Sequence, residues 1–157
     1  MTKITAKKVF ESDLRAKMLG IFTETQMQFE LQMFLDRQKW MKSDPLAAWF
    51  LSSRLKTAIY HYFNLKGFPH GHTVSSISKA LNTDRSTISR LLTECHQKGY
   101  IYRNKSAKKR RYYLPATELL ENGKWYAEYI TDQILSMENE LERRLFVDYK
   151  RMEKISL

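Results

Sequence analysis

The side chains best suited to bind another molecule by hydrogen bonds lie on one side of a helix predicted from Arg85 to about Lys98. At 100° per residue, the apolar residues of this segment share one side and its short polar residues share the other. The apolar side holds Ile88, Leu91, Leu92 and Cys95, and the polar side holds Ser86, Ser89, Arg90, Thr93 and Gln97. Serine, threonine, glutamine and arginine hydrogen-bond base edges and phosphates, whereas ordinary exposed helix faces favour glutamate and lysine. The pattern therefore favours a helix that reads nucleic acid over a plain core helix.

A basic segment follows this helix directly. Residues 100–103 and 110–114 are strand-like and residues 104–109 between them are turn-forming, which predicts a β-hairpin, here called the wing. Its cations, with no acidic residue among them, are Arg103, Lys105, Lys108, Lys109, Arg110 and Arg111. Such cations bind phosphates, and an arginine at the tip could enter an A·T-rich minor groove. We therefore expect binding that weakens steeply as the salt concentration rises.

The charge of the chain is concentrated around these two features. The 157-residue chain has a formal net charge of +10. Residues 79–111 carry ten basic and two acidic residues, whereas residues 112–157 carry six basic and nine acidic residues. A cationic segment this dense favours a polyanion as partner over a charge that serves only solubility.

A short helix and a tight turn must position the polar face. Thr73 is suited to cap the short helix, and Asn82–Asp84 is typical of a turn that leads into the second helix. Gly99 is expected to stop that second helix. A helix, a three-residue turn, a second helix and a basic hairpin together make a winged helix-turn-helix, whose second helix enters the major groove of DNA.

The residues before this unit predict further helices. Residues 1–12 show weak periodicity and are predicted to be an arm. Apolar residues recur at helical spacing from Leu14 to Trp40, either in one long helix or in two that divide at a capping box beginning at Thr25. Asp44-Pro45 is typical of a helix start, and the helix that begins there is predicted to continue to Gly67.

The residues after the wing predict one or two amphipathic helices over residues 117–153. A long amphipathic helix at either end of a small chain needs a partner to cover its apolar stripe. The expected fold is mainly α with a small β-hairpin wing. The expected organisation is an N-terminal arm and dimerisation helix (1–44), a winged helix-turn-helix (45–114) and C-terminal dimerisation helices (115–157).

Several classes of protein are disfavoured by what the sequence lacks. It has no run of 18 apolar residues and no secretory signal, so we expect no membrane contact and a cytoplasmic location. The single cysteine excludes an internal disulfide. We found no Gly-rich phosphate loop, His-Glu-x-x-His motif or well-spaced Cys-His pair, so we predict no enzyme, catalytic residue or cofactor. His70 and His72 alone make a weak metal site, and none is predicted.

The two short helices and the wing resemble a known family. The runs Val74-Ser-Ser-Ile-Ser-Lys-Ala-Leu81, Asp84-Arg-Ser-Thr-Ile-Ser-Arg-Leu-Leu92 and Lys98-Gly-Tyr-Ile-Tyr-Arg103 are similar to the MarR family of bacterial transcription regulators. The resemblance covers about residues 45–114 at motif level. It implies a homodimer with intertwined N- and C-terminal helices that binds a pseudo-palindromic operator. The family's wing usually carries Asp-x-Arg, whereas this chain has Lys108-Lys-Arg-Arg111.

The resemblance also implies a regulatory ligand. Relatives often bind small aromatic acids where the DNA-binding and dimerisation regions meet, and this chain has an aromatic-rich set there. The set is Trp40, Trp49, Phe50, Tyr60, Tyr62, Phe63, Trp125 and Tyr126. Aromatic residues at helical spacing also form ordinary cores, so core packing is the alternative to a ligand pocket. Some relatives sense oxidants through cysteine, but a thiol on the apolar side of a helix is typically inert.

The residues predicted to contact double-stranded DNA combine both short helices and the wing. The first turn of the second helix, Arg85–Thr87, is expected to lie deepest in the groove. The set is Ser75, Ser76, Lys79, Arg85, Ser86, Thr87, Ser89, Arg90, Thr93, Arg103, Lys105, Lys108, Lys109, Arg110 and Arg111. The expected function is a dimeric, sequence-specific transcription regulator. The alternative is a winged-helix module that binds RNA, initiates replication or packages DNA without sequence preference.

Overall fold

The structure, a computed structural model, describes residues 3–67, 71–105 and 111–156. The elements in chain order are α1 (Lys3–Ser43), α2 (Pro45–Phe50), α3 (Arg54–Lys66), α4 (Val74–Ala80), α5 (Arg85–Gln97), β1 (Ile101–Lys105), β2 (Arg111–Pro115) and α6 (Thr117–Ser156). This confirms the mainly α fold with a small hairpin. Contacts divide the chain into two compact units, Arg37–Glu128 and Met1–Asp36 with Tyr129–Leu157.

The first unit begins at the predicted helix start. The Asp44 carboxylate accepts hydrogen bonds from the backbone N–H of Leu46 at 3.0 Å and of Ala47 at 3.4 Å, and Pro45 occupies the first helical position. The prediction that this helix runs on to Gly67 is wrong. It ends at Phe50, and a new helix begins because Ser53 Oγ accepts a hydrogen bond from Lys56 N at 3.1 Å.

The helix-turn-helix forms from α4, the turn at 81–84 and α5. A reciprocal pair of hydrogen bonds starts α4, because Thr73 Oγ1 accepts from Ser76 N and Ser76 Oγ accepts from Thr73 N, each at 3.0 Å. Asn82 adopts a left-handed φ of 49° in the turn. After α5, Gly99 has a φ of 79°, a conformation that favours glycine and ends the helix as predicted.

The wing is a two-stranded antiparallel ladder. Ile101 pairs with Pro115 at its base, and Lys105 pairs with Arg111 at the far end. Asn104 and Lys105, predicted to lie in the turn, instead extend β1. Residues 106–109 of the predicted basic turn, and Arg110 after them, lie outside the described residues. His72, just before α4, is bonded to Tyr113 of β2 through N–H to O contacts of 2.9 and 2.7 Å, so the wing is fixed to the helix-turn-helix.

The first turns of α6 pack against α2 and α3 in the same unit. Asn122 joins three elements, because its Nδ2 donates to Asp44 Oδ2 at 2.6 Å and its Oδ1 accepts from Tyr60 OH at 2.7 Å. Next to it, Gly123 lies so close to Asn64 that an added Cβ would be 1.8 Å from Asn64 Oδ1. A side chain at this position would force the Asn64 side chain to move.

The second unit consists of long helical segments of α1 and α6. Arg144 of α6 donates hydrogen bonds to Thr25 Oγ1 at 3.2 Å and to Glu24 Oε2 at 3.0 Å. Tyr129 OH donates to the Asp36 carboxylate. Within the part of the chain that the structure describes, no helix is both long and apolar enough to cross a membrane.

Two predictions for α1 are resolved by this packing. Thr25 does not begin a second helix, because its side chain is buried and held by Arg144 within one continuous helix. The predicted arm at residues 1–12 is also wrong for residues 3–12, which form the start of α1. At the other end of the chain, α6 is one helix rather than two.

The Gly123–Asn64 contact is testable through stability. We expect Gly123→Ala to lower the free energy of unfolding by about 1–3 kcal/mol, because the new methyl group must displace the Asn64 side chain. Urea denaturation followed by circular dichroism measures the change. Gly20→Ala is the matched control: it lies inside α1 with nothing within 4 Å, so it should be neutral or stabilising by up to about 1 kcal/mol. Equal losses in the two variants would contradict the close approach.

Candidate nucleic-acid interface

The two sides of α5 separate as the sequence predicts. Ile88, Leu91, Leu92 and Cys95 are buried where α5 packs against α4 and β1. On the opposite side, Ser86, Ser89 and Arg90 are exposed and Thr93 is half-buried. Burial of the apolar side accounts for the orientation of the helix, since apolar area removed from water contributes about 25 cal/mol per Å². The polar side is thereby presented to solvent.

Asp84 organises the start of this polar side. Its carboxylate accepts hydrogen bonds from Thr87 N at 2.9 Å, from Ser86 Oγ at 2.5 Å and from Thr87 Oγ1 at 2.9 Å. The Ser86 hydroxyl, then the Thr87 backbone N–H, lower the pKa of Asp84 to about 2. The stabilisation from this ionised cap is complete above the ordinary carboxyl pKa and is lost as the pH falls towards 2. The carboxylate is therefore fully ionised at neutral pH.

The sequence pattern predicts Asp84 only as a turn residue and not in this role. The signal was the Asp-x-x-Thr spacing at a predicted helix start, which is typical of a capping residue. A link between the two helices was also not predicted: Arg85 Nη2 of α5 donates to Ser75 Oγ of α4 at 3.0 Å. Both side chains were predicted to contact DNA, and the structure places them together at the surface.

Two other predicted residues use their hydroxyls locally. Ser76 Oγ donates to Thr73 O at 2.9 Å while it accepts from Thr73 N, so this hydroxyl belongs to the cap of α4. Thr93 Oγ1 donates to Ser89 O of its own helix at 2.9 Å. The remaining polar groups on the exposed side, Ser89 and Arg90, have side chains with no such local bond among the described residues.

Basic side chains lie before, within and after α5. Lys79, Arg90 and Lys98 are exposed, and Arg103 on β1 is half-buried. The ion pairs found in the described part of the chain involve α1 and α6 and none of these four residues. Lys108, Lys109 and Arg110 lie outside the described residues, and Lys105 and Arg111 are described only as a backbone pair. The described surface is therefore cationic and carries unpaired positive charge.

A separate cavity of about 470 Å³ opens in the same unit, between the end of α1 and the α2–α3 connection. Its polar lining is Arg37, Ser52, Ser53, Arg54, Thr57 and His61, with Leu51 and Ala58. No acidic residue lines it. Arg37 donates to Tyr126 OH through Nη2, while its buried Nε has no hydrogen-bond partner among the described residues. Partial burial, then the charge of Arg37, lower the pKa of His61.

The predicted aromatic set packs as core rather than as the lining of this cavity. Phe50, Tyr60 and Phe63 are fully buried. Trp40 stacks on Tyr126 with ring centroids 5.5 Å apart and an interplanar angle of 15°. The alternative of ordinary core packing therefore describes most of the set.

The single thiol and the histidines show no sign of a reactive or metal site in the described residues. Cys95 is fully buried, and this burial raises the pKa of its thiol, which keeps it protonated and unreactive. The His72 ring is buried and lies 3.0 Å through Nδ1 from Tyr62 OH. His70 is outside the described residues. Among the described residues, no group of three or more His, Cys, Asp or Glu could hold a metal ion.

Comparison with solved structures found similar folds. A MepR variant from a multidrug-resistant S. aureus clinical isolate is 22% identical, with 83% of this chain and 96% of that chain covered and a TM-score of 0.50. The S. aureus MepR–DNA complex is 21% identical, with 82% and 99% covered and a TM-score of 0.49. Streptococcus pneumoniae FabT in complex with DNA is 18% identical, with 80% and 99% covered and a TM-score of 0.43.

Comparison with protein families gives the assignment. No curated protein matched the sequence. A family model described as the MarR family matches residues 63–111, which include the end of α3, the helix-turn-helix and the first strand of the wing. The MepR variant shares the fold over most of the chain. Residues 63–111 of this chain therefore match the MarR family, and the helix-turn-helix that they contain is similar to that family's.

Proposed function

We propose that this protein is a transcription regulator that binds double-stranded DNA in a sequence-specific manner. The observation that carries the proposal is the exposed polar side of α5, which has cations before and after it and no ion pair among the described residues to neutralise them. A helix fits the major groove, which is about 12 Å wide. The family that residues 63–111 match consists of transcription regulators, which agrees with this geometry.

The side chains divide into two roles. Arg90 and the hydroxyl residues of α5 face the groove and would contact base edges, where arginine pairs best with guanine. Lys79, Lys98 and Arg103 lie around the helix and would bind phosphates, which position the protein without reading sequence. The wing cations predicted from the sequence, Lys105, Lys108, Lys109, Arg110 and Arg111, would add phosphate contacts or a minor-groove contact.

Selection of binding sites from randomised duplex DNA at two salt concentrations tests these roles. We expect a motif with two-fold symmetry whose half-sites are about one helical turn apart. Arg90→Ala should relax the preference at one base pair of each half-site, at a cost of about 1–3 kcal/mol for the preferred base. Lys79→Ala changes a matched cation outside the groove-facing side. It should weaken binding to all sequences equally and reduce the slope of log K against log salt concentration by about 1.

The opposite results would favour the alternative functions. Binding without a motif that disappears at moderate salt would leave only the electrostatic attraction to phosphates, as in DNA packaging. Preference for RNA over duplex DNA, or for a site without two-fold symmetry, would favour an RNA-binding or replication role. If the two variants behaved alike, the division of roles would be wrong.

We also propose that the protein is a homodimer held by α1 and α6. Both helices leave large apolar side chains uncovered in the single chain. On α1 these include Leu19, Met27, Leu31 and Phe34, which are 57–69% exposed, and on α6 they include Leu135 and Phe146, which are 52% and 63% exposed. Met27, Leu31 and Phe34 recur at the spacing of one helix face. A second copy of the chain would remove these surfaces from water.

Light scattering during size-exclusion chromatography tests the dimer. We expect a mass of about twice the 18.7 kDa of one chain. Leu31→Glu should shift the protein towards the monomer, because it places a charge in the apolar interface. Gln26→Glu adds the same charge at an exposed polar position of α1 and should leave the mass unchanged. A monomeric wild-type protein, or a dimer insensitive to Leu31→Glu, would contradict this interface.

The cavity beside Arg37 supports a regulatory ligand. Its volume of about 470 Å³ suits a small molecule, and its two arginines, without an acid, suit a carboxylate. That the ligand is aromatic follows from the family resemblance and not from the lining.

Calorimetric titration with benzoate tests this site. We expect Arg54→Gln to weaken benzoate binding at least about tenfold, because a hydrogen bond to a charged group contributes roughly 1.5–3 kcal/mol. Lys66→Gln removes an equal charge from the other end of α3 and should leave the affinity unchanged. Equal effects of the two variants, or no binding by the wild-type protein, would count against a carboxylate site here.

A further inference from the structure

The hydroxyl groups at the start of α5 donate their protons in hydrogen bonds to Asp84. Ser86 Oγ lies 2.5 Å from Asp84 Oδ2, and Thr87 Oγ1 lies 2.9 Å from each of the two carboxylate oxygens. A carboxylate that is ionised has no proton to donate and can only accept hydrogen bonds. Each hydroxyl has one proton, so both protons must point to Asp84.

These hydrogen bonds limit how the Ser86 and Thr87 hydroxyls can bond to a base. A free serine or threonine hydroxyl can donate or accept, so it does not distinguish an amino group from a carbonyl group. With its proton held, the same hydroxyl offers only lone pairs. Ser86 is exposed on the side of α5 that faces the groove in the proposed function, and Thr87 beside it is half-buried.

We infer that Asp84 makes Ser86 and Thr87 acceptors only, so that they select the amino-bearing bases adenine or cytosine on the DNA strand that they contact. In the major groove the adenine N6 and cytosine N4 amino groups donate, whereas guanine presents N7 and O6 acceptors and thymine an O4 acceptor. Asp84 is therefore a positioning residue that sets specificity through its neighbours. This inference rests on the proposed function and specifies its base preference.

The neighbouring arginines complete the pattern with the opposite polarity. Arg85, held by Ser75 Oγ at 3.0 Å, and Arg90 offer donors only, which suit guanine. The first two turns of α5 thus carry acceptors at Ser86 and Thr87 and donors at Arg85 and Arg90. Such a mixed set of donors and acceptors can fix the order of amino and carbonyl groups along one strand.

Binding-site selection with Asp84→Asn tests the inference. Asparagine keeps the cap, because its oxygen can accept from Thr87 N, while its NH₂ group can donate to the hydroxyl oxygens and release their protons. We expect the preference for adenine or cytosine at the contacted positions to be lost, a change of about fivefold in relative affinity, as for one hydrogen bond, because a hydroxyl with a free proton can donate as well as accept. Glu94→Gln removes the same charge from α5 elsewhere and should keep the wild-type preference while all affinities rise together.

A second measurement needs no variant and so does not depend on how Asp84→Asn folds. Adenine at a contacted position is replaced by purine, which lacks the 6-amino group, or cytosine by pyrimidin-2-one, which lacks the 4-amino group. Wild-type binding should weaken about fivefold. A wild-type motif with guanine or thymine at the contacted positions, or one that Asp84→Asn leaves unchanged, would overturn the inference alone. No wild-type motif at all would overturn the proposed function first.

Discussion

The structure of the unit Arg37–Glu128 depends on the burial of one side of α5. Ile88 and Leu92 are fully buried, and Ile77 of α4 and Ile101 of β1 are fully buried in the same core. With this side fixed against α4 and β1, α5 cannot rotate without exposing its apolar side chains. The polar side is therefore held towards solvent as a rigid surface, and rigid presentation lowers the ordering cost that binding must otherwise meet.

A second constraint fixes the surroundings of that core. Asn122 bonds to the cap of α2 through Asp44 and to α3 through Tyr60, and Gly123 allows α6 to approach Asn64. These contacts hold the first turns of α6 against the helices that support the helix-turn-helix. The cavity at Arg37 lies in this same unit, so a ligand there would act on elements that are packed together. A ligand that favours one arrangement of them would shift the population of DNA-binding states.

Local hydrogen bonds determine which surface hydroxyl groups remain available to bind another molecule. The polar residues of α4 and α5 look equivalent in the sequence, yet the structure separates them. Ser76 and Thr93 use their hydroxyls for their own helices, Ser75 holds Arg85, and Asp84 holds the protons of Ser86 and Thr87. Residue type alone predicts which side chains could contact DNA. The existing hydrogen-bond partner of each side chain decides whether it can still donate or accept.

The sequence by itself determined the local elements and the orientation of α5. The Asp44 cap, the Thr73 cap, Gly99 and the apolar spacing of α5 act within a few residues, so they are visible in a single chain. The break at Ser53 between α2 and α3 and the polarity of Ser86 also come from hydrogen bonds within three residues, which residue type alone did not reveal. The continuity of α1 through Thr25 was decided by a distant contact. Thr25 has the residue type of a cap, but Arg144, more than a hundred positions away, holds it inside a helix. Such contacts depend on which distant segments meet, and only the tertiary structure brings them together.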